Sequence, residues 1–201
     1  MQKSLFLALA GLSLLGLTAC GSSGGSGGGA SLGDSAGESL TDYDDVDDLL
    51  TDIEDGTLAA EDTTARTGSV SMTGAVGVSD LGDDENLTLI GDLVVNANFD
   101  TDTATGSADG FTLFDEDTDA VDSDVTGSLT MSGGTINAAD FDAMLSGTLT
   151  ESGDDFDVAL TLDGGFADNG GTLVVGGGVS GTITGPDAMP EDVEGGFAAS
   201  E

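Results

Sequence analysis

Histidine and tryptophan are missing from these 201 residues, cysteine occurs once, as Cys20, and the only cationic side chains are Lys3 and Arg66. Each shortage removes a class of chemistry. Without histidine there is no Ser-His-Asp or Cys-His nucleophile and no His-ligated zinc. One cysteine leaves no disulfide within the chain and no thiolate metal cage, and two cations leave no basic surface for nucleic acid and scarcely a lysine for a Schiff base. Paired carboxylates of the glycosidase kind are available in number, but such sites sit among aromatic and basic residues, and aromatics are 4% of this chain. The sequence points to a protein that is not an enzyme.

What the chain has in excess is negative charge: 39 Asp and Glu, for a net charge of −37. Charge of that size repels nucleic acid and anionic headgroups. It also opposes compaction unless salt screens it, which suits a saline habitat. The plain reading of the excess is a solvated surface rather than a cation site.

The N-terminus opens with Met1-Gln2-Lys3, and an apolar run from Leu5 to Leu17 follows. That run falls short of the roughly 20 residues of a permanent membrane helix and has the shape of a signal peptide. It ends in Leu17-Thr18-Ala19-Cys20, which resembles the bacterial lipobox. The resemblance implies that residues 1–19 form a signal peptide cleaved after Ala19, and that the Cys20 thiol carries a diacylglyceryl group. Gly21 in place of Asp implies sorting to the outer membrane in a Gram-negative cell. Acyl chains contribute about 0.8 kcal/mol per buried CH2, so several on one residue anchor the chain to a bilayer without a spanning segment. No other cofactor is expected.

Residues 20–37 carry the lipidated Cys20 and a Gly/Ser tether, GSSGGSGGGASLGDSAG, flexible enough to lift a domain off the headgroups. Residues 38–65 form an acidic amphipathic helix and a linker. There Leu40, Tyr43, Val46, Leu49, Leu50 and Ile53 recur at helical spacing, Thr41 with Asp44 fits a capping box, and Gly56 fits the stop. Such a helix either docks a partner or packs its apolar stripe on the neighbouring domain, and the second reading is the simpler one.

From residue 66 to 201 the period changes to strict alternation. Val70, Met72, Gly74, Val76 and Val78 share one strand face, as do Leu93, Val95, Ala97 and Phe99, then Val125, Leu129 and Met131, then Phe156, Val158, Leu160 and Leu162. The opposite faces carry Ser, Thr, Asn and Asp. Turn signals stand at Asp100-Thr101-Asp102, Ser132-Gly133-Gly134, Ser152-Gly153-Asp154 and Asn169-Gly170. The pattern predicts about eight strands, near 68–78, 86–99, 104–114, 125–136, 144–151, 155–163, 171–183 and 195–200. Closed on themselves they make an all-β, antiparallel eight-stranded barrel. A membrane-spanning barrel needs an apolar outer band with aromatic girdles, whereas these outward positions are acidic or hydroxylic, so a soluble barrel is expected.

Several segments carry a family resemblance: Gly68-Ser69-Val70-Ser71-Met72-Thr73-Gly74 at the opening, Val95-Asn96-Ala97-Asn98-Phe99 before Ala104-Thr105-Gly106-Ser107, and Gly181-Thr182-Ile183-Thr184-Gly185-Pro186-Asp187-Ala188 leading to Gly195-Gly196-Phe197. Together they resemble the β-barrel domain of transferrin-binding protein B-like lipoproteins, the group that includes factor H binding protein. Met72 and Thr184 depart from it, standing where the family usually has an aromatic residue. The resemblance implies a lipid-anchored, surface-exposed barrel that binds an extracellular protein or an environmental ligand through its loops, with a periplasmic location as the alternative. It transfers no ligand and no binding residue.

Phe111, Phe114 and Phe166 are candidate exposed loop contacts for such a ligand, with core packing as the alternative for each and the favoured one for Phe111. Asp115, Glu116, Asp117, Asp119, Asp122 and Asp124 make a candidate calcium loop, since hard cations take carboxylate oxygens. An EF-hand is excluded, because Ala120 stands where Gly is required and Thr126 where the bidentate Glu belongs. Arg66 is expected to pair with Asp62 or with the barrel rim. A structural spacer without a ligand and an acidic cation-binding lipoprotein are the competing readings of the whole chain.

Overall fold

The computed structural model describes residues 40–81, 87–115, 120–186 and 190–201, and for 40–45, 47 and 80 the backbone alone. The expected signal peptide with Ala19, the expected lipidation site Cys20 and the expected tether lie outside the described residues, as do Glu116, Asp117 and Asp119. The elements are a helix α1 (Leu40–Glu54), a two-residue strand β1 (Ala59–Ala60), a 3-10 turn (Thr63–Ala65) and eight long strands. The strands are β2 (Ser69–Leu81), β3 (Leu87–Asn98), β4 (Thr103–Asp115), β5 (Ala120–Asn137), β6 (Asp140–Glu151), β7 (Asp154–Asn169), β8 (Thr172–Thr184) and β9 (Glu191–Ser200).

Each long strand pairs antiparallel with the next, and β9 returns to β2, so the sheet closes as an eight-stranded barrel. Closure follows from the alternation. The inward sets are apolar along most of the barrel, and an eight-stranded cylinder is just wide enough for such side chains to fill. Met72, Leu93, Val95, Leu129, Leu145 and Leu162 are fully buried at its centre. The outer wall is the reverse: on β6 and β7 it carries Asp142, Ser146, Thr148, Asp155, Asp157, Thr161 and Asp163, all exposed. Two cross-strand hydrogen bonds run along it, from the Thr148 hydroxyl to Asp157 (3.0 Å) and from the Thr150 hydroxyl to Asp155 (2.7 Å). Carboxylates and hydroxyls at this density are the opposite of a lipid-facing band.

The turns at Ser152-Gly153 and Gly170-Gly171 have both residues at positive φ, as the tightest hairpins require. Ser132-Gly133-Gly134 is not a turn. One extra residue of β5 sits there against both β4 and β6, with Gly133 at φ 63°, and this bulge lets the strand bend and continue. The chain reverses instead at Ala138-Ala139, where Ala138 takes φ 57°.

Helix α1 starts at Leu40, and the side chains of Thr41 and Asp44, the expected capping box, lie outside what the structure describes. Its end is as expected, with Gly56 at φ 68° donating to the Ile53 carbonyl at 3.1 Å. The helix lies against the outer face of β8 and β9, and Val46 is buried. Glycines make room for the helix. A Cβ on Gly196 would stand 2.3 Å from Leu50 Cδ2, and one on Gly176 2.8 Å from Ile53 Cδ1.

Candidate functional site

The two ends of the barrel are built differently. At the end holding the β3–β4, β5–β6 and β7–β8 turns, phenylalanines fill the lumen. The Phe99 and Phe141 rings each meet Phe166 edge-on at 5.9 Å, and Phe141 lies 5.7 Å from Phe197. The segment before β2 then straps this end. Ala59 and Ala60 pair with β7 at Asp168 and Ala167, Glu61 donates its N–H to the Phe166 carbonyl (2.9 Å), and the buried Thr63 hydroxyl donates to the Ala138 carbonyl. Arg66 is held here too, and its partner is Glu61 at 3.1 Å rather than Asp62. Asp62 is engaged by Thr64, whose hydroxyl (2.6 Å) and backbone N–H (3.0 Å) both donate to it. Those bonds, the hydroxyl first, hold the exposed Asp62 carboxyl below its ordinary pKa.

At the other end lies a cavity of about 240 Å³. Its walls are Leu81, Leu87, Leu89, Leu113, Val125, Leu149, Phe156, Val158 and Ile183, contributed by seven successive strands from β2 to β8. Glu151, at the end of β6, and Glu191, at the start of β9, are the two polar side chains of its lining among the described residues. Beneath it the barrel is solid: the gap between Val76, Phe111, Leu129 and Leu160 has no room for a water-sized sphere. An apolar cavity with a filled floor and a few carboxylates has the form of a small-ligand pocket, a little under the roughly 300 Å³ at which drug-sized sites begin.

A second concavity, about 390 Å³, lies outside the wall between the end of α1 and β7. Apart from Ile53, Leu58 and Phe166, its lining is Ala, Gly and Asp140, which gives a ligand little apolar side-chain surface.

The expected site residues fall elsewhere. Phe114 and Phe166 are not exposed loop contacts: both sit in strands and are buried, Phe166 as the hub of the aromatic plug and Phe114 at 6% exposure on β4. Alternation explains Phe166, whose neighbours Ala167 and Asp168 hide its inward position from a composition-based reading. Phe111 belongs to the core, its ring lying over Gly91, where a Cβ would stand 2.4 Å away. Of the candidate calcium ligands, Asp115 closes β4 opposite Ala120, while Asp122 and Asp124 lie on β5, with Asp124 opposite Thr112. No three carboxylates among the described residues gather closely enough to hold a metal ion. The mouth itself had no sequence signal, because its residues are single inward positions spread from Leu81 to Glu191.

No known protein family, curated protein or solved structure matches the chain.

Proposed function

We propose that this protein is an outer-membrane lipoprotein of the transferrin-binding protein B-like kind, anchored through Cys20, whose barrel is a non-catalytic binding module facing the cell exterior. The mouth between Leu81 and Ile183 is its binding site. The observation that carries the reading is the asymmetry of the lumen among the described residues: one end is filled by Phe99, Phe141, Phe166 and Phe197, whereas at the other they line about 240 Å³ with mostly apolar side chains. A barrel serving only as a spacer gains from filling both ends, since an unfilled apolar cavity forfeits packing at each wall. The lipobox-like Leu17-Thr18-Ala19-Cys20 and the glycine-rich tether support the anchored placement, and the carboxylate-covered outer wall suits a barrel held in water beside the membrane.

Binding is tested with octyl glucoside, a neutral single-chain amphiphile, below its micellar concentration. Saturable one-to-one binding that is lost when Leu87→Trp or Ile183→Trp fills the half-buried rim supports the site. Absence of binding, or binding indifferent to both variants, overturns it. Location is tested by protease treatment of intact and lysed cells alongside Cys20→Ala. Loss of the barrel from intact cells supports surface exposure, and protection until lysis moves the proposal to the periplasm.

A further inference from the structure

Resting on the mouth as the binding site, we infer that its ligand is a slender amphiphile with one alkyl chain and a cationic, hydrogen-bonding head, an alkylammonium. Three observations point the same way. The cavity is small, about 240 Å³, and among the described residues every lining side chain other than Glu151 and Glu191 is apolar, so the buried part of a ligand finds its hydrogen-bond partners there in those two carboxylates. No cation lines the mouth among the described residues, and the chain's single cation after Lys3 is committed elsewhere: Arg66 bonds Glu61 on the strap at the plugged end. An anionic head would therefore be set among carboxylates with no compensating charge, on a chain whose net charge is −37. An ammonium head instead donates charge-assisted hydrogen bonds to Glu151 and Glu191, and its alkyl chain occupies the leucine-lined space below. The surrounding acidic wall raises the local concentration of such a cation and speeds its arrival.

The experiment compares three amphiphiles with the same tail, octylammonium, octyl glucoside and octyl sulfate, by calorimetric titration of the full mature barrel below micellar concentrations. The order expected is octylammonium tighter than octyl glucoside by about tenfold, and octyl sulfate weaker than either. Glu151→Gln with Glu191→Gln is expected to bring octylammonium to the affinity that octyl glucoside shows on the same variant. Asp142→Asn with Asp163→Asn removes the same charge from the outer wall and serves as the control, in which the preference for octylammonium is expected to persist. Binding of all three tails with equal affinity leaves the mouth standing and overturns the cationic head. A preference lost equally in the control pair makes it an effect of net charge, which also overturns the inference. Failure of all three to bind overturns the site itself.

Discussion

The rings of Phe141 and Phe197 lie 5.7 Å apart although β7 and β8 run between their strands. Three strand spacings amount to roughly 14 Å along the wall. The rings meet because the two positions between them in the same lateral row are Gly164 and Gly177, paired as Phe141 with Gly164, Gly164 with Gly177, and Gly177 with Phe197. The row leaves a gap in the lining that the two rings lean in to close, and with Phe166 and Phe99 they make the plug of that end.

Filling that gap is expected to be costly. A Cβ on Gly177 would stand 2.3 Å from the Asp163 carbonyl oxygen, a backbone atom that cannot rotate away. Gly177→Ala is expected to lower stability by about 1–3 kcal/mol, and Phe197→Ala by about 3–5 kcal/mol through the cavity it leaves. Chemical denaturation measures both, and an unchanged midpoint for Phe197→Ala contradicts a packed plug.

The helix should detach without loss of the barrel. Gly196→Val places its added carbons where Leu50 now sits, so α1 is expected to lift from β8 and β9. Hydrogen exchange reads this directly: amides of 46–54 lose protection while those of β2 to β7 keep theirs. Equal loss in both regions would make the helix an integral part of barrel folding.

The acidic wall predicts a salt requirement. Asp142 and Asp163 face each other across β6 and β7, both exposed, and like charges directly opposite are destabilising. Asp163→Lys is expected to raise stability by about 0.5–1 kcal/mol at low ionic strength, with the gain shrinking as salt screens both the pair and the general repulsion. Thermal denaturation across a sodium chloride series checks it, and a gain that is constant with salt would contradict the electrostatic origin.

Arg66 should matter less than its singularity suggests. Its bond to Glu61 is about a third exposed on both sides, so Arg66→Ala is expected to cost less than about 1 kcal/mol. Beside it, Asp62 titrates below its ordinary value because Thr64 bonds the charged form. The small stabilisation from that bond is present above the ordinary carboxylate pKa and is lost as pH falls through the lowered one. Thr64→Val is expected to move the Asp62 midpoint upward in an NMR titration, and an unmoved midpoint would contradict the assignment.

Much of the barrel was legible because alternation is a local property. Val70 to Val78 and Phe156 to Leu162 announce their buried faces over a few residues, and Gly56, Ser152-Gly153 and Asn169-Gly170 announce their stops. Errors arose where one local signal has two structural meanings. Gly133 serves equally a turn or a bulge, and only the pairing of β5 with both neighbours decides. Ala138 carries no turn signature, so the true reversal was silent. Arg66 had two acidic neighbours, Glu61 and Asp62, both ahead of the 3-10 turn, and the Thr64 bonds to Asp62 left Glu61 as its partner. The mouth was invisible because a cavity depends on which layer of inward residues is left unfilled. Leu81, Leu113 and Ile183 are single apolar positions on three separate strands, which only closure brings to one rim.

The most direct test of the mouth as the binding site is a leucine-methyl NMR spectrum recorded during titration with octylammonium. The account predicts that the methyls of Leu81, Leu87, Leu89, Leu113 and Leu149 shift together to a single saturating curve, while those of Leu145, Leu162 and Leu173, buried deeper or at the plugged end, hold still. Shifts confined to Leu50 and Leu58, or spread evenly over all leucines, would place the ligand on the helix or across the surface and contradict it.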